Sequence, residues 1–341
     1  MTFKLLLVED DESDRQGFVA SVNRYNHEND TTIQVVECPD VAQALERLDH
    51  SFDGAVIDMK LGSEGGEGNE ILKALDARNV RIPIIILTGT PDDADDSFVH
   101  IEVKKKGEAD NIDIIEDFHQ IHASGLTKIM GARGLFETLL SEVYKNNILT
   151  QKDAWKVYGQ EDADQSEKAL MRHVLNHLVH MVDLDEESCV AEEFYIFPPM
   201  NRVFRTGSIV KSKADNSLHA IMNPACDLAV REDGQFKARN ITLCRAKTLE
   251  ECAEQEPKTA AQLKQSLFPL NKRNCYHSLP GTSFFGQRFL DFESIQSLPS
   301  NDVGELYEGP VIQIAPAFMK DIVARFSSFY GRQGQPGLTF A

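Results

Sequence analysis

The stretch LLLVEDDESDR (Leu5–Arg15) sets four hydrophobic residues directly ahead of four consecutive acids, Glu9, Asp10, Asp11 and Glu12. A short apolar run that stops abruptly at charge reads as a buried strand whose carboxyl end meets solvent. Adjacent carboxylates repel and raise one another's pKa, so the cluster either faces water or holds a cation that offsets the repulsion.

Similar runs recur downstream. Ile33–Val36, Gly54–Ile57, Ile82–Leu87 and Phe98–Val103 are apolar and bounded by polar turns, as short buried strands are. Between them lie helical patterns: Ser13–Tyr25, opened by a capping serine, Val41–Leu48 after Asp40, and Asn69–Leu75. Strand and helix in alternation predict an α/β, flavodoxin-like, doubly wound parallel sheet of five strands. Such sheets bind ligands beyond the carboxyl ends of their strands. Glu9 and Asp10 follow the first strand, Asp58 the third, Thr88 the fourth and Lys104 the fifth. The three acids could offer carboxylate oxygens to a hard divalent ion such as Mg²⁺.

These residues, in this order, make residues 1–122 resemble the receiver domain of two-component response regulators. The resemblance implies that Asp58 (in VIDMKLG) is the phosphoacceptor and that Glu9, Asp10, Asp58 and the Lys60 carbonyl hold Mg²⁺. It also implies that Thr88 (in IILTGT) and Lys104 contact the phosphoryl group. The phosphodonor would be a histidine kinase or phosphotransfer protein, and the chemistry would be receiver autophosphorylation and dephosphorylation. An ordinary flavodoxin-like domain with solvated strand ends is the bland alternative. Departures from the family pattern are visible. The chain reads VKKKGEAD where the family has Lys-Pro, so Lys105 competes with Lys104, and the family's switch aromatic falls on Ile101. The fourth helix and fifth strand through which such domains pair as a homodimer are atypical: PDDADDS forms helix poorly and Lys104–Lys106 is a charge run.

A length of 341 residues suggests more than one core. From about Asn111 to Asp185 the pattern is helical and acidic, with amphipathic stretches at Leu135–Tyr144 and Lys168–Val182, and residues 123–190 are expected to form a helical connector. Residues 191–341 turn to aromatic, strand-like pieces (FYIFPP, TGSIVKS, LHAIMNPACDL, NITLCRA, GPVIQIAP), predicting a mainly β domain closed by a helix over Ala317–Tyr330 and a flexible tail. Its TGSIV, NPACDL, NCYHSLP and GRQGQP segments are similar to a small β domain of bacterial conflict and phage-defence operons. That likeness implies a Detocs-type defence phosphorelay in which a receiver protein shuttles or buffers phosphoryl groups toward an effector.

Formal charge is about −22 over residues 1–194 and about +3 over residues 195–341, so the chain's −19 sits in its front half. No nucleic-acid partner is expected, because the back half has only short basic runs such as Lys272-Arg273 and no helix-turn-helix pattern. No apolar run is long enough to cross a bilayer and no signal-peptide pattern opens the chain, so a cytoplasmic protein with six reduced cysteines is expected.

Two further clusters stand beside the rim. His173, His177 and His180 fall on one helical face, where spacing of four suits zinc or an exposed phosphorelay histidine, against the plainer reading of a half-buried helix face. Cys226, Asp227, Cys244, Cys275 and His277 could converge as a metal or enzyme site regulated by the receiver, against the plainer reading of buried structural thiols. A phosphate sink without output is the third possibility.

Overall fold

The computed structural model describes residues 3–63, 65–95, 97, 101–131, 134–182, 188–200, 203–231, 234–254, 259–267 and 274–332. The chain divides into two compact units, Met1–Asp185 and Glu186–Ala341.

The first unit opens with β1 (Phe3–Val8), α1 (Glu12–Asn29), β2 (Ile33–Cys38), α2 (Val41–Arg47), β3 (Gly54–Ile57), α3 (Gly68–Ala77), β4 (Ile84–Thr88), β5 (Glu102–Lys105) and α4 (Asn111–Ala123). The strands pair in parallel in the order β2-β1-β3-β4-β5, the flavodoxin-like order. Side chains alternate between two cores. Leu6, Val8, Ala55, Ile57, Ile84 and Ile86 pack with Ala44 of α2 and Ile71, Leu72 and Leu75 of α3. Leu5, Leu7, Val56, Ile85 and Leu87 pack with Phe18 and Val22 of α1 and Ile114, Ile115 and Phe118 of α4. Because both faces are covered, β1, β3 and β4 are almost continuously hydrophobic, and their polarity is confined to their ends.

Local signals differ from expectation in two places, the cap of α1 and the position of the fifth strand. Helix α1 begins one residue earlier than predicted and is capped not by Ser13 but by Asp11, whose Oδ1 accepts the Ser13 and Asp14 amides at 2.8 and 3.0 Å. The fifth strand lies toward the carboxyl side of the run Phe98–Val103, whose first three residues fall outside the described residues. Among the described residues between β4 and β5, the only helix is a single 3₁₀ turn, Pro91–Asp93.

The unit continues with α5 (Leu126–Met130), α6 (Leu135–Val143), α7 (Lys152–Glu161) and α8 (Ala163–Val182). Val143, Ile148 and Leu178 form their small core with Trp155, Val174 and Met181 packed on it. Arg81, just ahead of β4, ties this segment to the sheet by donating to the Met130 carbonyl at 2.7 Å and pairing with Glu137.

The second unit holds β6 (Tyr195–Ile196), β7 (Ser208–Ser212), β8 (Leu218–Ile221), β9 (Asn240–Lys247), α9 (Leu249–Ala253), α10 (Ala260–Leu267), β10 (Tyr276–Leu279), β11 (Arg288–Pro299), α11 (Val303–Leu306), β12 (Tyr307–Ile314) and α12 (Pro316–Gly331). Its seven strands run β10-β11-β9-β8-β7-β12-β6, antiparallel at each pairing. Helix α12 buries Met319, Ile322 and Phe329 against one face, alongside Ile209, Cys244 and Phe292. Val210, Ile221, Leu243 and Tyr307 build the other face. Lys272-Arg273 and the tail beyond Arg332 lie outside the described residues.

Gly68 is a tight point between the sheet rim and α3. A Cβ there would lie 2.5 Å from both the Asp58 carbonyl oxygen and the Met59 methyl carbon. Gly68→Ala is therefore expected to destabilise the first unit by about 1–3 kcal/mol through overpacking. Urea unfolding followed by the fluorescence of Trp155, the chain's single tryptophan, checks this.

Candidate functional site

The carboxyl ends of β1, β3 and β4 place three acids and two hydroxyls at one rim. Glu9 leaves β1 with its amide on the Cys38 carbonyl, and Asp58 leaves β3 with its amide on the Val8 carbonyl at 2.9 Å, so the two strand ends are stitched together. Glu9 and Asp58 are buried while Asp10 is exposed, and one carboxylate oxygen from each lies within 4.8 Å of the others. This is the only such three-ligand group among the described residues. Asp11 is committed to capping α1, and the backbone amides of Asp14 and Ser13 hold its carboxyl below the usual range.

Asp58 Oδ1 accepts the Lys60 amide at 3.2 Å. Thr88 is fully buried, and its Oγ1 accepts the Thr90 amide at 3.2 Å. Gly89 and Thr90, with Glu9, Asp10, Asp58, Lys60 and Lys106, line an open cleft of about 480 Å³. Thr90 is a wall residue that the strand-end reading did not single out.

The lysine at the rim is neither Lys104 nor Lys105. Lys104 pairs with Glu102 at 3.3 Å, and Lys105 pairs with Glu108 at 2.7 Å. Lys106 Nζ reaches Glu9 Oε2 at 2.7 Å, Asp58 Oδ2 at 2.9 Å and Asp14 Oδ2 at 3.0 Å. Sheet register explains the difference. Lys104 pairs across from Leu87 and Lys105 from Thr88, while the Lys106 amide donates to the Thr88 carbonyl just beyond the strand. Lys104 projects to the same side as Lys106 but sits two residues back, about 7 Å short of the rim. Gly107, with a φ of 81°, then turns the chain away. The position three before this lysine is Val103 rather than Ile101, and it too carries no ring.

The electrostatics follow from this packing. Burial raises the Glu9 carboxyl above its usual value and Asp58's charge adds to that, against the pull of Lys106. For Lys106, burial disfavours the charge, but hydrogen bonds to Asp58, Glu9 and Asp14 outweigh it and hold the ammonium well above the usual lysine range. The site is thus an oxygen-rich pocket with one fixed cation, a donor set of the hard kind that suits Mg²⁺.

The other two clusters do not assemble. His173 and His177 approach with Nε2 atoms 3.2 Å apart beside Trp155, but no third His, Cys or acid completes a ligand group among the described residues, and His180 is exposed. Cys226 is exposed in the loop after β8, Cys244 is buried on β9, and Cys275 and His277 belong to the β10 edge, separated from β9 by β11. Burial pushes the Cys244 thiol far up, and burial with the charge of Asp291 takes Cys252 to about 12, so neither is poised as a thiolate. Cys226, Asp227, Cys244, Cys275 and His277 do not come together as a ligand group among the described residues.

Among solved structures the first third of the chain is similar to receiver domains. The receiver domain of a Francisella response regulator shares 20% identity over 36% of this chain and 98% of its own, with a TM-score of 0.28. A CheY-like receiver domain from Methylobacillus flagellatus shares 18% identity over 35% and 98%, with a TM-score of 0.29. The N-terminal domain of a response regulator/sensory box/GGDEF protein from Carboxydothermus hydrogenoformans shares 21% over 36% and 98%, also at 0.29. No family model matches the chain, and no curated protein matches it in sequence. Among the described residues, no helix is long and apolar enough to cross a membrane.

His277 yields a pH prediction. It is buried, and burial holds it down at about 4 from an ordinary 6.5. With the folded value below the unfolded one, the stability it supports is fully present above about pH 6.5 and is lost as pH falls toward 4. The loss has a ceiling of about 3 kcal/mol. His277→Phe should flatten this part of the acid-unfolding curve, as measured by urea denaturation at stepped pH.

Proposed function

We propose that the first unit is a phosphoacceptor in a phosphorelay, taking a phosphoryl group on Asp58 from a phosphohistidine donor, either a histidine kinase or a phosphotransfer protein. The observation that carries this reading is the meeting of Glu9, Asp10, Asp58 and Lys106 at one strand-end rim, with an open cleft before the Asp58 carboxylate.

A carboxylate oxygen of Asp58 attacks phosphorus, the donor's P–N bond breaks, and the imidazole departs carrying the bond's electron pair and taking up a proton. Lys106 supplies fixed positive charge beside the Asp58 carboxylate that becomes phosphorylated. The Thr88 hydroxyl, whose oxygen accepts the Thr90 amide, is the hydrogen-bond donor for the acyl phosphate. Glu9, Asp10, Asp58 and the Lys60 carbonyl would hold Mg²⁺, whose contribution when bound is to neutralise charge on the phosphoryl oxygens. Burial raises the Glu9 carboxyl, and a bound cation would offset that.

Downstream, the reading assigns residues 123–190 the role of connector and the β-rich second unit that of docking a partner or effector. Val103 in the switch position, and a single 3₁₀ turn as the described helix between β4 and β5, favour a shuttle or buffer of phosphoryl groups over a domain that signals through that face. Anti-phage defence is the setting that the second unit's likeness suggests.

Intact-protein mass after incubation with a small phosphodonor and Mg²⁺ tests the reading. One phosphoryl group should be gained by the wild type and none by Asp58→Asn or by chelated protein. Gain that persists in Asp58→Asn would overturn it, as would no gain from either the small donor or a histidine-phosphorylated transfer protein.

A further inference from the structure

Resting on that reading, the pairing of Lys106 with Asp14 has a consequence for how the site opens. An ammonium has three N–H donors. In this structure all three are directed at carboxylates: Glu9 at 2.7 Å, Asp58 at 2.9 Å and Asp14 at 3.0 Å. A phosphoryl group on Asp58 brings new acceptor oxygens to the same ammonium, so one existing partner has to leave.

The three partners are not equivalent. The side chains of Glu9 and Asp58 are each 6% exposed, whereas that of Asp14 is 53% exposed. Releasing Glu9 would strand a buried carboxylate, which is costly, while releasing Asp14 hands a carboxylate to water. There is also room for it to go. On the α1 side of Lys106 lies a second cavity of about 550 Å³, lined by Asp14, Gly17, Phe18, Lys106, Gly107 and Asn111 among others. Gly17 adds no side chain to it, and a Cβ at that position would meet nothing within 4 Å. Lys106 therefore stands in the wall between two cavities, with the acceptor cleft on one side and Asp14's open space on the other.

We infer that Asp14 is a displaceable latch: a positioning residue on α1 that occupies the third donor of Lys106 while Asp58 is free and yields it to the incoming phosphoryl group. The latch makes phosphorylation slower than the site's own chemistry allows, because each event must break the Asp14 contact and bring a dianion toward one further carboxylate. Asp14 touches neither the acceptor oxygen nor the metal-ligand set, and acts only through Lys106.

The test uses the full chain with Mg²⁺, and phosphoramidate as donor. In that reaction Asp58 oxygen bonds to phosphorus, the P–N bond breaks and ammonia leaves, with no change of oxidation state. Beryllofluoride, a phosphoryl mimic that undergoes no transfer, gives a second readout as binding affinity by ¹⁹F NMR. Asp14→Asn should be labelled about two- to fivefold faster than wild type and bind beryllofluoride tighter by a similar factor, the range set by a half-exposed ion pair. Asp14→Glu, which keeps the charge, should stay near wild type. Glu12→Gln removes an acid that lines the mouth of the cleft but has its hydrogen bond with Gln16 instead. It should also stay near wild type, which separates a latch from a general loss of negative charge. Labelled wild type with Asp14→Asn unchanged, or Glu12→Gln rising as far as Asp14→Asn, would overturn the latch alone. Failure of wild type both to take label and to bind the mimic would overturn the receiver reading and the latch together.

Discussion

The ammonium of Lys106 is the constraint on which the rim depends. Two buried carboxylates, Glu9 and Asp58, end adjacent strands and face one another. Two like charges buried this close together are costly unless an opposite charge lies between them. Lys106 bridges the two acids, 2.7 Å from Glu9 and 2.9 Å from Asp58, at strand ends that the Asp58 amide aligns by its hydrogen bond to the Val8 carbonyl. That alignment brings Asp10 within reach of the same point in space. The site is a set of like charges held together by one opposite charge, with capacity left for a second cation.

The fold supplies this arrangement through register. Parallel strands buried on both faces can be polar only where they end, so the polar residues of β1, β3 and β4 collect at a single edge. Strand β5 lies at the sheet's edge and is itself charged and exposed; its pairing with β4 delivers Lys106 to the level of Thr88. Gly107 turns the chain, Asp110 caps α4, and Phe118 of that helix then packs on the face that includes Val56 and Leu87. Hydrophobic packing thus fixes the position of a residue whose role is electrostatic.

Much of this was legible in the sequence. The strands before Glu9, Asp58 and Thr88 end sharply at polar residues, and the alternation of strand and helix was enough for the five-stranded doubly wound sheet. The lysine was not legible, because Lys104, Lys105 and Lys106 are chemically identical and only cross-strand register distinguishes them. The apolar run Phe98–Val103 also suggested a strand that ends earlier than β5 does. Asp11 could not be told from Ser13 as the cap of α1, because a helix cap is defined by geometry and both are good capping residue types. The thiols and His277 of the second unit could not be placed from sequence either: whether they converge depends on the order β10-β11-β9, which is set by long-range antiparallel pairing.

The most direct measurement compares Lys106→Met with Lys104→Met for formation and lifetime of the Asp58 phosphoryl group under identical donor and Mg²⁺ conditions. If Lys106 is the charge that holds the rim, Lys106→Met should lose about two orders of magnitude in the rate of phosphorylation, in the range seen when a preorganised electrostatic group is removed. Lys104→Met should behave as wild type. A defect confined to Lys104→Met, with Lys106→Met intact, would contradict the assignment.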